Sequence, residues 1–169
     1  MAKQVLVAYG SKYGATAEIA QKIGDVLREA GLEAEVKSAK HVGDLSSYDA
    51  VVLGSAAYAG GWRKEATRLL KNNVTTLTEK MVWIFSSGPT GEGDPVELVK
   101  GWKHPSALAT EIEAIAPRDI TVFHGAMLME KMNFIEKFVI GKIGAPAGDF
   151  RDWDAIVAWA TGIANDLKA

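Results

Sequence analysis

Two kinds of apolar pattern alternate along the chain. Short, nearly continuous apolar runs recur at Val5-Leu6-Val7-Ala8-Tyr9, at Ala50-Val51-Val52-Leu53 within residues 48–55, and at Met81-Val82-Trp83-Ile84-Phe85. Runs of this length that end at Gly or Ser read as strands buried on both faces of a parallel sheet. Residues 119–125 read as a further strand. Leu32, Ala34 and Val36 alternate with Glu33, Glu35 and Lys37, as a half-buried or edge strand does. Between the strands the spacing turns helical. Ile19, Ile23, Val26, Leu27 and Ala30 lie on one face, with Gly31 in the capping position. Residues 62–70 place Ala66, Leu69 and Leu70 inward, and residues 105–116 form a helix that ends before Pro117. Asp152 caps the last helix, and Asp154 complements its dipole. Residues 86–103, with Gly88, Pro89, Gly91, Gly93, Pro95 and Gly101, form a long loop.

Five strands alternating with helices require right-handed crossovers and a parallel sheet covered on both faces. At 169 residues the chain reads as one domain. The composition, 48% hydrophobic and 24% charged, is that of a globular protein. With 19 basic and 21 acidic residues the net charge is −2, which supplies no drive for nucleic-acid binding. The absence of Cys excludes a disulfide scaffold, a thiol nucleophile and thiolate metal sites. His41, His104 and His124 are dispersed, so no metal site is expected. Ser11, Ser55, Ser86 and Ser87 lie in no Gly-x-Ser-x-Gly elbow, and no side chain stands out as a catalytic acid or base. No apolar run approaches the roughly 18 residues of a spanning helix, and no signal-peptide pattern is present. The expected location is the cytoplasm.

Ligands of such sheets bind beyond the carboxyl ends of the strands. Three post-strand loops there are rich in small and hydroxyl residues. The first, Gly10 to Thr16, joins a buried strand to a helix N-terminus, whose amides and positive dipole end suit an anion. It reads equally as a phosphate cradle or an ordinary strand–helix turn. The second, Gly54 to Trp62, offers Tyr58 and Trp62 to a flat heterocycle. The third, Ser86 to Asp94, offers closely approaching backbone and Thr90. A phosphate loop, aromatics and bare amides are together what flavin mononucleotide (FMN) requires.

With these residues the chain resembles the flavodoxin-like family. Ser11-x-x-Gly14-x-Thr16 is similar to that family's T/S-x-T-G-x-T phosphate loop, in the same place after the first strand. Tyr13 stands where many members have Thr, and Lys12 partly compensates for the missing hydroxyl. The resemblance runs from about residue 3 to residue 167. It implies a three-layer α/β/α sandwich, a parallel sheet in the order 2-1-3-4-5, and a single FMN-binding domain over residues 1–169. The phosphate would lie on Ser11, Lys12, Tyr13, Gly14, Ala15 and Thr16. The ring would lie between Ala57, Tyr58, Ala59, Gly60 and Trp62 on one side and Ser87, Gly88, Pro89, Thr90 and Gly91 on the other. Gly60 and Gly61 would form a flexible peptide able to turn a carbonyl toward the ring.

Within the family the chain looks most similar to the menaquinone-dependent protoporphyrinogen oxidase (protoporphyrinogen IX dehydrogenase) type. The matching segments are Tyr48-Asp49-x-Val51-Val52-x-Gly54-Ser55, His124-Gly125-Ala126-Met127-Leu128 and Asp149-Phe150-Arg151-Asp152-Trp153-Asp154. That type implies a role in heme biosynthesis, with a porphyrinogen substrate and a quinone acceptor. Arg63 and Lys64, at a helix start where positive charge opposes the dipole, would draw an anionic substrate or be plain surface charges. The alternative is an electron carrier that serves only a redox partner, although a charge of −2 is weak for steering such docking. A third reading is a protein that kept the fold and lost the flavin. Residues 131–143 form a helix with Phe134, Ile135, Phe138, Val139 and Ile143 on a wide apolar face. Either it packs on its own sheet, or it is a surface that touches a quinone, a partner chain or, peripherally, the inner face of a membrane, with Lys131 and Lys142 beside the apolar side.

Overall fold

The computed structural model describes residues 2–144 and 146–169. In chain order the elements are β1 (Gln4–Gly10), α1 (Ala15–Glu29), β2 (Glu33–Ser38), β3 (Ala50–Tyr58), β4 (Gly61–Trp62), α2 (Lys64–Asn72), α3 (Val74–Thr78), β5 (Met81–Ser87), α4 (Pro95–Leu98), α5 (Ala109–Ile115), β6 (Asp119–Phe123), β7 (Ala126–Met127), α6 (Phe134–Ile143), β8 (Gly148–Asp149) and α7 (Trp153–Lys168). Five strands pair in parallel in the order β2-β1-β3-β5-β6. Counting the parallel strands alone, this is the expected 2-1-3-4-5. Each pairing is in register with the apolar runs, for example Val7 opposite Val52 and Val52 opposite Trp83.

Side chains alternate across a strand, so the central strands feed two separate cores. Val5, Val7, Val52 and Phe85 pack with Ile19, Ile23 and Leu27 of α1 and with Ile156, Ile163 and Leu167 of α7. Leu6, Ala8, Leu53 and Ile84 face the other way, onto Leu69 and Leu70 of α2 and Ile112 and Ile115 of α5. The central runs are fully buried because helices cover both faces. β2 alternates because it is the edge.

The structure departs from the sequence reading where local pairing overrides it. The loop expected at residues 54–62 is a hairpin: β3 runs on to Tyr58 and pairs antiparallel with β4, Ala57 opposite Trp62 and Tyr58 opposite Gly61. The two linking residues, Ala59 and Gly60, have φ of 48° and 80°. Positive φ at both positions is the signature of a two-residue hairpin turn. The Gly60–Gly61 peptide is therefore held by the hairpin and is not a free loop. Trp62 belongs to β4, and α2 begins at Lys64. Arg63 is the residue before the helix. The buried Glu65 supplies the acid of the first turn, 3.6 Å from Arg63, so the apparent clash with the dipole is offset. The short α3 and α4 and the β7–β8 pair had no periodic signal to reveal them.

α6 departs most. Its N-terminus is fixed by a reciprocal cap, with Asn133 Oδ1 accepting from the Glu136 N–H at 2.8 Å and Glu136 Oε1 accepting from the Asn133 N–H at 3.2 Å. Gly144 closes the other end in the left-handed region. Yet no α6 residue is buried, and Phe134, Ile135 and Ile143 are 83%, 72% and 68% exposed. The helix does not pack on its own sheet.

Ala59 carries a left-handed backbone that costs a non-glycine residue about 1 kcal/mol. Asn tolerates that conformation better, so Ala59→Asn is expected to stabilise the protein by about 0.5–1 kcal/mol. Urea unfolding would show this as a higher midpoint at unchanged slope. A lower midpoint would mean that the Ala59 methyl contributes more than the turn costs.

Candidate functional site

At the carboxyl ends of β1, β3 and β5 lies a cavity of about 630 Å³. One side is the junction between β1 and α1. Gly14 turns the chain with φ of 94°, and its N–H donates to Ser11 Oγ at 3.0 Å. No side chain caps α1, so its first-turn amides and positive end are left for an outside acceptor. Lys12, Tyr13, Ala15 and Thr16 all line the cavity from this loop. Ser11 and Gly14 shape the turn itself.

The floor is built from strand-end residues and the first turn of α1. Thr16 and Ser87, 2% and 3% exposed, place their hydroxyl oxygens 2.8 Å apart. The pair holds two hydroxyl hydrogens and spends one between its members. One O–H is left to donate into the cavity, whichever residue bears it. Trp62 Nε1 donates to Ser86 Oγ at 2.8 Å, which fixes the indole. The Arg63 N–H donates to Ser55 Oγ at 2.9 Å. Ser55, Ser86 and Ser87 are thus buried structural hydroxyls. Gly88 lies against Ala57 and Gly125 so closely that an added side chain would meet Ala57 O at 3.1 Å, and one on Gly125 would meet the Gly88 backbone at 3.0 Å.

From the second loop Ala57, Tyr58 and Trp62 line the main cavity, as do Ser87 and Gly88 from the third. Ala59, Gly60 and Pro89 line an adjoining, more apolar hollow of about 360 Å³ with Trp102. Gly91 faces a further cleft beside His124 and Arg151, and Thr90 lines none of the three. His124 therefore sits away from the main cavity. Burial raises the Tyr58 phenol above its ordinary pKa, with Arg63 and Lys12 pulling the other way, so it stays neutral near pH 7.

The remaining wall is α6, which sequence reasoning did not place here. Met132, Ile135, Glu136, Val139 and Ile140 line the cavity. Lys131 Nζ donates to Tyr13 O at 3.2 Å and lies 4.0 Å from where a Gly14 side chain would begin. It is thus a phosphate-loop cation instead of a flank of the apolar face. Glu136 Oε2 pairs with Lys12 Nζ at 2.6 Å. That pairing, and the Asn133 N–H, hold the Glu136 carboxyl below its ordinary pKa. Neither contact had a sequence signal, because the partners stand 118 and 124 residues apart.

Arg151 braces the phosphate loop from behind. It grips Asp149 with Nε at 2.9 Å and Nη2 at 2.7 Å, and Nη1 donates to Ala15 O at 3.1 Å. Its guanidinium also stacks over Trp153, 4.8 Å from the ring centre.

The model of the flavodoxin domain matches residues 6–154. The chain belongs to the flavodoxin-domain family. No curated protein sequence matches it significantly. Among solved structures it is similar to a flavodoxin from the domain Archaea, at 14% identity and a TM-score of 0.64, covering 98% of this chain and 99% of that one. Megasphaera elsdenii flavodoxin matches at 22% identity and a TM-score of 0.55, covering 71% and 84%. Rubredoxin oxygen:oxidoreductase from Desulfovibrio gigas matches at 16% identity and a TM-score of 0.66, covering 98% of this chain but 36% of that one. These likenesses are of fold. Flavodoxin-domain membership makes FMN the cofactor and electron transfer the activity class. The chemistry of the cavity fits that ligand: an uncapped helix end with Lys12 for a phosphate, and the backbone at Gly88 beside Tyr58 and Trp62 for a flat ring.

Bonding to Arg151 also lowers the Asp149 pKa from an ordinary value of 3.8. A lowered carboxylate contributes stability that is full above its unfolded pKa and is lost as pH falls through the folded value. Asp149 is 41% exposed on its side chain, so solvent screening keeps the contribution below about 1 kcal/mol. Between pH 5 and pH 2 the native protein is expected to lose more stability than Asp149→Asn does. Parallel acid-unfolding curves would deny the pair that role.

Proposed function

We propose that the protein is an FMN-dependent oxidoreductase of the quinone-linked protoporphyrinogen IX dehydrogenase type. It would oxidise a reduced, carboxylate-bearing tetrapyrrole and pass the electrons to a membrane quinone. FMN supplies one- and two-electron transfer, and the protein supplies placement. In this reading the α1 N-terminus, Ser11, Lys12 and the Thr16–Ser87 pair hold the phosphate. The Tyr58–Trp62 hairpin and the backbone at Ser87, Gly88 and Pro89 flank the ring, with Ala59 and Gly60 at its edge. Thr90 and Gly91 shape the loop that carries Gly88. Arg63 and Lys64, both lining the cavity, favour an anionic substrate.

The observation that carries this reading is α6. Its Ile135, Val139 and Ile140 wall the cavity, while Phe134, Phe138 and Ile143 stand in solvent. An apolar cavity wall is therefore continuous with an exposed apolar surface. Soluble monomers rarely carry such a surface without a use, and a lipid-borne acceptor would supply one. Lys142 sits 4.8 Å over the Phe138 ring, and Lys137 is exposed, so both are free for anionic head groups. Among the described residues no helix is long and apolar enough to cross a membrane, so the contact would be peripheral. The carrier reading is favoured by the flavodoxins, the archaeal one among them, that align over nearly the whole of both chains.

Phe138 is 58% exposed, so Phe138→Asp is expected to leave folding and FMN content unchanged. It should weaken binding to anionic liposomes and slow menaquinone reduction. If the unmodified protein binds no liposomes and reduces no quinone, the carrier reading stands instead. Thr16→Ala should lower FMN affinity about 10- to 100-fold, as loss of a charge-assisted hydrogen bond does, and leave riboflavin affinity nearly unchanged. It should also cost the ligand-free protein about 1–2 kcal/mol, because buried Ser87 loses its partner. Thr16→Ser should restore both, and an equal loss for the two ligands would remove Thr16 from the phosphate.

A further inference from the structure

We propose that Glu136 determines how strongly the site discriminates phosphate-bearing from phosphate-free ligands, because its carboxylate holds the phosphate-loop lysine and must give way to a ligand's phosphate, loosening α6. The inference rests on the FMN site proposed above.

Glu136 is the only carboxylate among the described residues lining the main cavity; Lys12, Arg63 and Lys64 line it with positive charge. Its Oε2 lies 2.6 Å from Nζ of Lys12, in the loop that leads into the uncapped α1. The lysine of the loop thus already faces an anion belonging to the chain. The Lys12 hydrogen bond holds the Glu136 carboxyl below its ordinary pKa, so it is ionised wherever a phosphate would be. A phosphate monoester carries about −1.5 to −2 charges near neutral pH. Two anions sharing one exposed lysine repel, and the more highly charged one holds it.

The loss of Lys12 leaves the cap of α6 in place, but a ten-residue helix that is held less firmly frays more often. Glu136 uses Oε2 for Lys12 and Oε1 for the cap with Asn133. The loss also removes one of two side-chain bonds that tie residues 129–143 to the phosphate loop among the described residues. The other is Lys131 to Tyr13 O. With no α6 residue buried, little else holds the helix in place. A ligand without phosphate has no means of displacing Glu136 and leaves the tie intact.

The test compares FMN with riboflavin on the full chain. Glu136→Gln keeps the cap, since Gln serves at that position, and removes the charge. At low ionic strength it should tighten FMN about 3- to 10-fold and leave riboflavin within about 2-fold. The gain should shrink as salt rises, because exposed charges are screened. Asp166→Asn, an equal charge change near the end of α7, should alter neither ligand. Hydrogen exchange at the α6 amides should speed up when FMN is added to the native protein, stay unchanged with riboflavin, and already be fast in Glu136→Gln. Both sets of results are required. A gain shared by riboflavin, an unchanged ratio, or α6 exchange that slows or does not move with FMN overturns the inference. Failure of the native protein to bind FMN overturns the site itself, which the ratio measurement distinguishes.

Discussion

The passage from β1 into α1 is the constraint on which the cavity depends. Gly14 makes it in a left-handed conformation, and the fifteen-residue helix that follows starts with no side-chain cap. Uncapped amides are a cost to a helix on its own. Here the cost is offset at a distance. Ile19, Ile23 and Leu27 are fully buried against the sheet and α7, so the helix is fixed by packing and its end can be left open. Arg151 completes the arrangement by holding Ala15 O while Asp149 fixes the guanidinium. The first turn is therefore rigid without being satisfied, which is the condition for binding an anion there.

The rest of the site follows from the same economy of side chains. Beneath the cavity, polar atoms are paired with one another: Thr16 with Ser87, Trp62 with Ser86, and the Arg63 N–H with Ser55. Above them, Gly88 and Gly125 bring backbone against backbone. Such an arrangement leaves few polar side chains free at the cavity floor. It presents no paired acid and base of its own, in keeping with chemistry that resides in a bound flavin.

The parallel sheet was legible because burial on both faces leaves continuous apolar runs, and β2 because an edge leaves alternation. The loop that carries β1 into α1 was legible because its residues are contiguous. Other features were hidden for different physical reasons. β4 has two residues and exists only through pairing with β3, so no period announces it. The places of Lys131 and Glu136 arise from contacts with Tyr13 and Lys12 far away in the chain. Helical spacing in residues 134–143 is the same whether the helix meets a sheet, a ligand or solvent, and the pattern revealed the helix without its neighbour. Arg63 looked misplaced only because the helix start was set too early and buried Glu65 was overlooked.

α6 is a helix whose existence and position have separate causes. Asn133, Glu136 and Gly144 terminate it locally at both ends, which supports its turns, although a ten-residue helix is marginal without a tertiary partner. Its position over the cavity rests on exposed contacts with the phosphate loop, and its apolar side chains contribute little while they stand in water. A core helix shows the opposite balance: packing supplies both its stability and its place. Local capping combined with weak docking leaves an element free to loosen while its ends stay defined. In this fold that element is also the apolar wall of the ligand cavity, and so occupancy of the phosphate loop and presentation of the apolar surface share the same few residues.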